Sequence, residues 1–419
     1  MKKRLLFVGI LAAGIFLFTV LLDVGLGLLG YPSKLPSRST YPPHFKQVRR
    51  STTEFECLYE FNSRGIRYPE ISFRKDGSQE VRFFMVGDSF TEGLGAEADE
   101  TFGAVMERAF SQSGQDVRFI NGGISGTGPL DYLHMLYSVG FDYDIDSVLI
   151  CIYVNDMLGC PDLPEYTPPS EWPPSPDGMA AAIYAIYPRL YAMALNLRYY
   201  YSSDNLQHGD SRDIIAEISR EARAQGFSEE AISEWRQKLP ADLVAAANRF
   251  EFNGSVFSHG LLYPDRFFEC LELTKPSSQL RFQNMKLILN QIVQECQNRS
   301  ISVYTILIPA AFMCEPDSYH ADRLRMKLGV KVSESWLTET TPLQSGLRTW
   351  AAEAEVPFFD LTDTFREAVK NSTSLIYYPL DTHWTPLGHQ IAAEAIQRWL
   401  TGIEAIPPKA SFGVDKTPD

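Results

Sequence analysis

The sequence holds no Cys-x-x-Cys pair, although it has six cysteines: Cys57, Cys151, Cys160, Cys270, Cys296 and Cys314. A zinc site of the paired-cysteine kind is therefore without support, and no metal or other cofactor is called for. Positive charge is short as well. Lys and Arg number 38 against 52 Asp and Glu, for a formal net charge of -14. Nucleic-acid binding needs a basic footprint, so that class is excluded. Internal repeats are absent, which removes the solenoid and propeller architectures. No cysteine stands near the first apolar run, which excludes a lipoprotein anchor there. Charged residues reach only 21% while hydrophobic ones make up 45%, a globular balance rather than a disordered one.

What is present begins at the amino terminus. Lys2, Lys3 and Arg4 precede an uncharged apolar run from Leu5 to Leu22. Its 18 residues would span roughly 27 Å as a helix, close to a bilayer core. The expectation is an uncleaved transmembrane anchor within residues 1–30, basic end in the cytoplasm and the remainder exported. The competing reading is a cleaved signal peptide and a secreted protein. Only the weak small-x-small pattern Gly25-Leu26-Gly27 supports a cleavage site. Lys34, Arg38, Lys46, Arg49 and Arg50 place positive charge on the far side too.

Residues 31–60 read as a proline-bearing linker. A turn at Asp76-Gly77 then leads into a strand from about Val81 to Val86. Phe102, Val105, Met106 and Ala109 recur at helical spacing, with Gly114 as a stop. "DVRFIN" is the next strand. "PLDYLHMLYSVG" is a helix opened by Pro129. "DSVLICIYVND" is apolar nearly throughout, as a strand buried on both faces must be. This alternation predicts an α/β fold, a parallel sheet sandwiched between helices. It breaks over about 159–276, a mainly helical insertion that begins with "CPDLPEYTPPSEWPPSPDG". It then resumes through "LRFQNMKLILNQIVQECQNRS", "ISVYTILIP", "LQSGLRTWAAEAE" and "VPFFDLT", and closes on "TPLGHQIAAEAIQRWLTG". One domain over 61–405 and a tail over 406–419 follow. Cys151 reads as a small buried hydrophobe. Cys160 and Cys314 each trail a strand, and in an oxidising compartment a disulfide between them stays open.

In such a sheet, ligands bind beyond the carboxyl ends of the strands. Those ends carry Gly87-Asp88-Ser89, "NGGISGTG" (Asn121–Gly128) and Asn155-Asp156; the loop before the last helix carries Asp381 and His383. A serine hydroxyl needs a base to become a nucleophile, and an imidazole suits that role. A carboxylate two residues away in an extended stretch points to the same side and would orient the ring. Backbone N–H groups of Ser89 and Gly126, with the Asn155 amide, could receive an oxyanion. Taken singly, each of these residues reads as a turn, a cap or packing; their joint placement sets them apart. His134, His259 and His320 lack such company and read as structural, and His389 as packing or capping within the last helix.

These blocks resemble the SGNH/GDSL hydrolase superfamily: "GDSFTEG", "NGGISGTG", "YVND" and "DTHWTPLGH", in the family's order. The resemblance covers roughly residues 61–400, with the insertion unmatched. "FNSRGIRYPE" is similar to the lead-in of membrane-anchored bacterial members. The family implies a flavodoxin-like three-layer fold. It implies Ser89 as nucleophile, His383 as base, Asp381 as third triad member, and Ser89, Gly126 and Asn155 as the oxyanion hole. The family's terminal block is Asp-x-x-His, whereas here it is Asp-Thr-His followed by Trp384, which resembles carbohydrate O-acetyltransferases. "GDSFT" also departs from the G-x-S-x-G elbow, which disfavours an α/β-hydrolase lipase. The expected function is a serine-dependent hydrolase of short acyl esters, with a small-molecule or polysaccharide ester as substrate. A carbohydrate O-acyltransferase and a non-catalytic polysaccharide-binding protein are the alternatives.

Overall fold

The computed structural model describes residues 2–29, 31, 40–52, 54–76, 79–168, 178–202, 213–316 and 323–406. The Asp76-Gly77 turn, much of the proline-rich loop, His320 and the tail beyond 406 fall outside the described residues.

Helix α1 runs over Lys2–Leu28. Its stretch Gly9–Leu28 is long and apolar enough to cross a membrane, with a mean hydropathy of 2.2. Strands β1 (Lys46–Ser51) and β2 (Phe55–Glu60) pair antiparallel. This hairpin corrects the linker expected over 31–60. "KQVRRS" buries no apolar face, because Val48 is exposed and the one buried residue of the strand is Ser51, so its composition reads as loop.

The central sheet follows. β3 (Val81–Gly87) leads through α2 (Ser89–Glu92) and α3 (Phe102–Gln112) to β4 (Val117–Asn121). Next, α4 (Pro129–Ser138) leads to β5 (Ser147–Tyr153). A helical excursion comes next: α5 (Gly178–Ile186), α6 (Pro188–Ser202), α7 (Ile214–Ala224), α8 (Glu229–Gln237), α9 (Ala241–Asn248), α10 (Ser255–Leu262) and α11 (Arg266–Glu272). The chain returns by α12 (Pro276–Gln297) to β6 (Ser302–Ile308), then by α13 (Arg323–Leu328) and α14 (Pro342–Glu353) to β7 (Phe358–Asp360). It ends with α15 (Thr362–Asn371) and α16 (Pro386–Gly402).

The five strands are all parallel and lie in the order β4-β3-β5-β6-β7. Counted within the sheet this is 2-1-3-4-5, the flavodoxin-like order, whose switch point lies between the first and third strands. The alternation of side chains across the sheet explains the apolar run in β3. Phe83 stacks on Phe119 at 4.9 Å and meets Tyr304 at 5.8 Å, on the face that Trp399 of α16 covers. Phe84 points the other way, against Tyr143 and Gly140 beside α4. The fold is thus α/β, a parallel sheet flanked by helices.

A second apolar cluster lies within the excursion. It draws Ile218, Trp235, Phe257 and Leu262 together with Leu324 and Leu328 of α13. All six cysteines are buried free thiols. No disulfide joins Cys160 to Cys314; the Cys314 sulfur instead packs by the Thr362 carbonyl and the Tyr377 hydroxyl. Cys151 is fully buried in β5, as its apolar neighbours predict.

Candidate active site

β3 ends at the switch point on Gly87. A Cβ there would stand 2.0 Å from Thr91 Oγ1 and 2.9 Å from the Cys151 carbonyl, so only glycine fits between α2 and the neighbouring strand. The Asp88 carboxylate then accepts from the Phe90 N–H at 3.0 Å and caps α2. Ser89 is the first residue of that short helix, and Gly93 closes it in the left-handed region (φ 85°). The strand thus ends on Gly-Asp-Ser because each residue has a separate steric or hydrogen-bonding role in a tight strand-to-helix turn.

Ser89 Oγ lies 2.7 Å from His383 Nε2, and His383 Nδ1 lies 2.5 Å from Asp381 Oδ1. Ser89 Oγ also lies 3.3 Å from Asp88 Oδ2. Phe90 packs on the imidazole at 4.8 Å. Asp381 and His383 do not share an extended stretch, which corrects the geometric reason expected for their pairing. The chain turns at Thr382, which takes a positive φ of 75°. Tyr378 pins this turn, its N–H donating to the His383 carbonyl at 2.8 Å and its carbonyl accepting from the Thr382 N–H at 2.9 Å. Arg325 of α13 donates to the Thr382 hydroxyl. Such a backbone costs about 1–2 kcal/mol in a non-glycine residue, which these contacts offset.

The turn of the β1–β2 hairpin supports the same loop. Glu54 Oε1 accepts from the Leu380 N–H at 2.6 Å, and Oε2 accepts from the Asp381 N–H at 2.9 Å and from Ser51 Oγ at 3.0 Å. Burial raises the Glu54 carboxyl above its ordinary range, against the lowering pull of these donors.

The glycine block is tied to the other side of Ser89. The Ile124 N–H donates to the Gly87 carbonyl at 3.0 Å. Buried Glu92 Oε2 accepts from the Ser125 N–H at 3.0 Å and from Arg49 of β1 at 3.2 Å. Gly126 has φ 77° with open space where a Cβ would stand. Asn155 follows β5 and precedes the 3-10 turn Asp156–Gly159, which its side chain does not cap. Its neighbour Asp156 turns inward instead, and accepts from the Tyr153 N–H at 2.8 Å and from the Tyr132 hydroxyl. Burial pushes Asp88 up to about 6, although the Phe90 N–H and His383 pull it down. Burial, then the charge of Asp88, raises Asp156 well above the usual carboxylate range.

The lead-in "FNSRGIRYPE" also acquires a structural role. Arg67 donates to the Glu92, Gly93 and Ala96 carbonyls at 2.7–3.0 Å, over the Tyr59 ring. It thereby holds the carboxyl end of α2. Trp384 is fully buried, stacked on Phe365 at 4.8 Å. His389 is buried between Phe102 and Trp384, the packing role expected for it.

Sequence reasoning missed Arg49, Glu54, Arg67 and Glu92 as supports of the site. Their partners lie 25 to 327 residues away, so no local pattern marks them.

Residues 267–412 match the family model described as ALGX, SGNH hydrolase-like domain, acetyltransferase AlgX. That stretch holds Asp381 and His383 but not Ser89. That part of the chain is thus similar to an SGNH hydrolase-like domain of the acetyltransferase kind. No curated protein matches the sequence. Similar solved structures include the lipase/acylhydrolase from Enterococcus faecalis, at 13% identity over 79% of this chain and 100% of that one, with TM-score 0.36. An acetyl-xylooligosaccharide esterase from Geobacillus, solved as a mutant, is 13% identical over 77% and 95%, with TM-score 0.35. A lipolytic protein of the G-D-S-L family from Desulfitobacterium hafniense is 9% identical over 76% and 99%, with TM-score 0.34.

Proposed function

We propose that this protein is a serine-dependent ester hydrolase that works through an acyl-enzyme. The observation that carries the reading is the relay from Ser89 Oγ through His383 to Asp381, at 2.7 and 2.5 Å. Ser89 Oγ attacks the acyl carbon while its proton passes to His383 Nε2. Asp381 holds the Nδ1 proton and stabilises the imidazolium. The N–H groups of Ser89 and Gly126 and the Asn155 amide receive the developing oxyanion. His383 returns its proton to the leaving alcohol oxygen, and the acyl group stays on Ser89. A water that gives its proton to His383 then attacks the acyl-enzyme and releases the acid. None of these steps calls on a metal.

In this reading α1 is the anchor, and the domain at about 61–405 lies outside the cytoplasm with its 159–276 insertion. The substrate is a short acyl ester, acetyl above all, on extracytoplasmic carbohydrate. The matched family's description as an acetyltransferase favours a second reading. There a sugar hydroxyl replaces water in the second half of the reaction.

The test is hydrolysis of a chromogenic acetyl ester by the full-length protein in detergent. Ser89→Ala should cost at least about 1,000-fold in kcat while leaving the unfolding transition in place. Full activity in that variant would rule out the serine mechanism. An added acetyl acceptor oligosaccharide separates the two readings: product on sugar at the expense of free acetate indicates transfer. Sugar binding that survives Ser89→Ala in a protein with no turnover would favour the binding-protein alternative.

A further inference from the structure

Asp23 lies inside the apolar helix α1, yet it is only 4% exposed. A carboxylate within an apolar span is costly unless it is paired. Here Oδ1 accepts the N–H groups of Arg189 at 2.9 Å and Leu190 at 2.8 Å, and Oδ2 faces the Arg189 guanidinium at 3.5 Å. Those N–H groups open α6 and have no partner within their own helix. Asp23 therefore caps a helix 166 residues further along the chain. Two more contacts fix the elbow between α5 and α6 against α1. Thr19 Oγ1 lies 3.1 Å from the Tyr187 hydroxyl, and the Phe16 and Tyr187 rings meet edge-on at 6.1 Å.

These contacts set a depth. At the helical rise, Asp23 stands roughly 8 Å inside the Leu28 end of α1 and Phe16 about 18 Å inside it. The elbow that touches both lies alongside the membrane-crossing part of α1. The helix that reaches this elbow is α5, "GMAAAIYAI". It carries no charge, and none of its residues is buried. Met179 is 81% exposed, Ile183 44% and Ile186 49%. A helix that is apolar all round belongs in a core or in lipid, and α5 is in no core here. On α1, Ile15, Phe18 and Leu22 are exposed apolar residues as well. The Tyr184 and Tyr191 rings meet across the elbow at 5.6 Å.

We propose that α5 and the start of α6 form a second membrane-embedded element, a hairpin that enters the leaflet on the catalytic side and is pinned to α1 by Asp23. Its occupant is the lipid acyl chains that surround α1. The elbow contacts hold α5 beside α1, and α5 itself carries no charged group that would specify a protein partner. The proposal rests on the reading of α1 as an anchor. It explains what the start of the insertion does, because the hairpin is a second point of attachment and fixes the tilt of the domain over the bilayer.

The test uses the full-length chain in vesicles of phosphatidylethanolamine and phosphatidylglycerol in equal parts. Single variants Met179→Cys and Ile183→Cys on α5, Phe18→Cys on α1 and Glu230→Cys on α8 are labelled with an environment-sensitive fluorophore. The wild-type chain, whose own thiols are buried, gives the background. Doxyl-labelled lipid should quench positions 179 and 183 several-fold more than position 230 and about as strongly as position 18. Adding Asp23→Ala should shift positions 179 and 183 towards quenching by aqueous iodide while position 18 stays lipid-quenched. Iodide quenching of 179 and 183 beside lipid quenching of 18 would overturn the hairpin and leave the anchor standing. Iodide quenching at position 18 would overturn both. Labels at 179 and 183 shielded from both quenchers would mean a protein neighbour, such as a second copy, and would equally overturn the proposal.

Discussion

Replacing Glu54 with Gln tests whether the hairpin before the sheet governs the loop that carries Asp381 and His383. The carboxylate accepts two successive backbone N–H groups, of Leu380 and Asp381, one on each oxygen. A glutamine keeps the shape but presents an amide NH2 to one of them. One donor then faces another donor, and a charge-assisted bond of about 1.5–3 kcal/mol is lost. A loss of about 2 kcal/mol from the arrangement that aligns Asp381 with His383 corresponds to roughly 30-fold in rate. The expectation for Glu54→Gln is therefore a fall in kcat on a chromogenic acetyl ester of about 5- to 30-fold, with KM little changed. The effect should also depend on pH. Protonated Glu54 resembles glutamine, and burial raises its pKa. The ratio of wild-type to variant activity should then shrink as pH falls, starting above the ordinary glutamate range. Unchanged kcat would refute the positioning role. A loss as deep as that of Ser89→Ala would refute it from the other side, since Glu54 would then take part in the chemistry itself.

Two glycine substitutions should separate packing from chemistry. Gly87→Ala forces a Cβ to 2.0 Å from Thr91 Oγ1 and should destabilise by about 3 kcal/mol or more, read by urea unfolding. Gly126→Ala meets open space at φ 77°; it should cost about 1 kcal/mol in stability but at least about 10-fold in kcat if its N–H serves the oxyanion. Burial first, then the charges of Arg67 and His383, lowers the buried His389 imidazole from 6.5 to about 3. Between those values the folded state holds fewer protons than the unfolded one, so stability is full above the unfolded value and is lost as pH falls. At pH 5 the loss is about 2 kcal/mol, and His389→Leu should remove it, measured as the difference in unfolding free energy between pH 7 and pH 5. Burial of Asp88, raised from 3.8 to about 6, works in the opposite direction, with stability lost as pH rises through that window. It is common to both proteins and drops out of the comparison. All six thiols are buried and free, so a thiol reagent should react with them only on unfolding, and a reductant should leave Tm unchanged.

The central sheet was legible because its strands are buried on both faces. "VRFFMVG" and "SVLICIY" admit no other element between their turn signals, and the β3 and β5 ranges fall where the apolar runs do. Ser89 was legible because the carboxyl ends of a parallel sheet face one crevice, and Asp381 and His383 were legible through the block "DTHWTPLGH" before the last helix. The hairpin β1–β2 was not. Lys46, Gln47, Arg49 and Arg50 give a strand no apolar face, and its pairing rests on Tyr59 and Cys57 packing beneath. The positive φ of Thr382 was hidden too, since threonine carries no signal for that conformation. What sequence reading lost were the contacts that join segments distant along the chain.

That hairpin has a consequence for how the protein is cut and handled. Arg49 reaches the glycine block through Glu92, and Glu54 reaches the histidine loop, so one short ribbon clasps both halves of the crevice. A fragment begun at Phe61 would keep every residue of the relay and lose the clasp. Buried Glu92 would then stand without its arginine, and Leu380 and Asp381 would point N–H groups at empty space. Among the described residues the ribbon is also the first pair of strands after the apolar helix, so under the proposed anchoring any pull from that helix reaches the Asp381–His383 loop before it reaches the sheet.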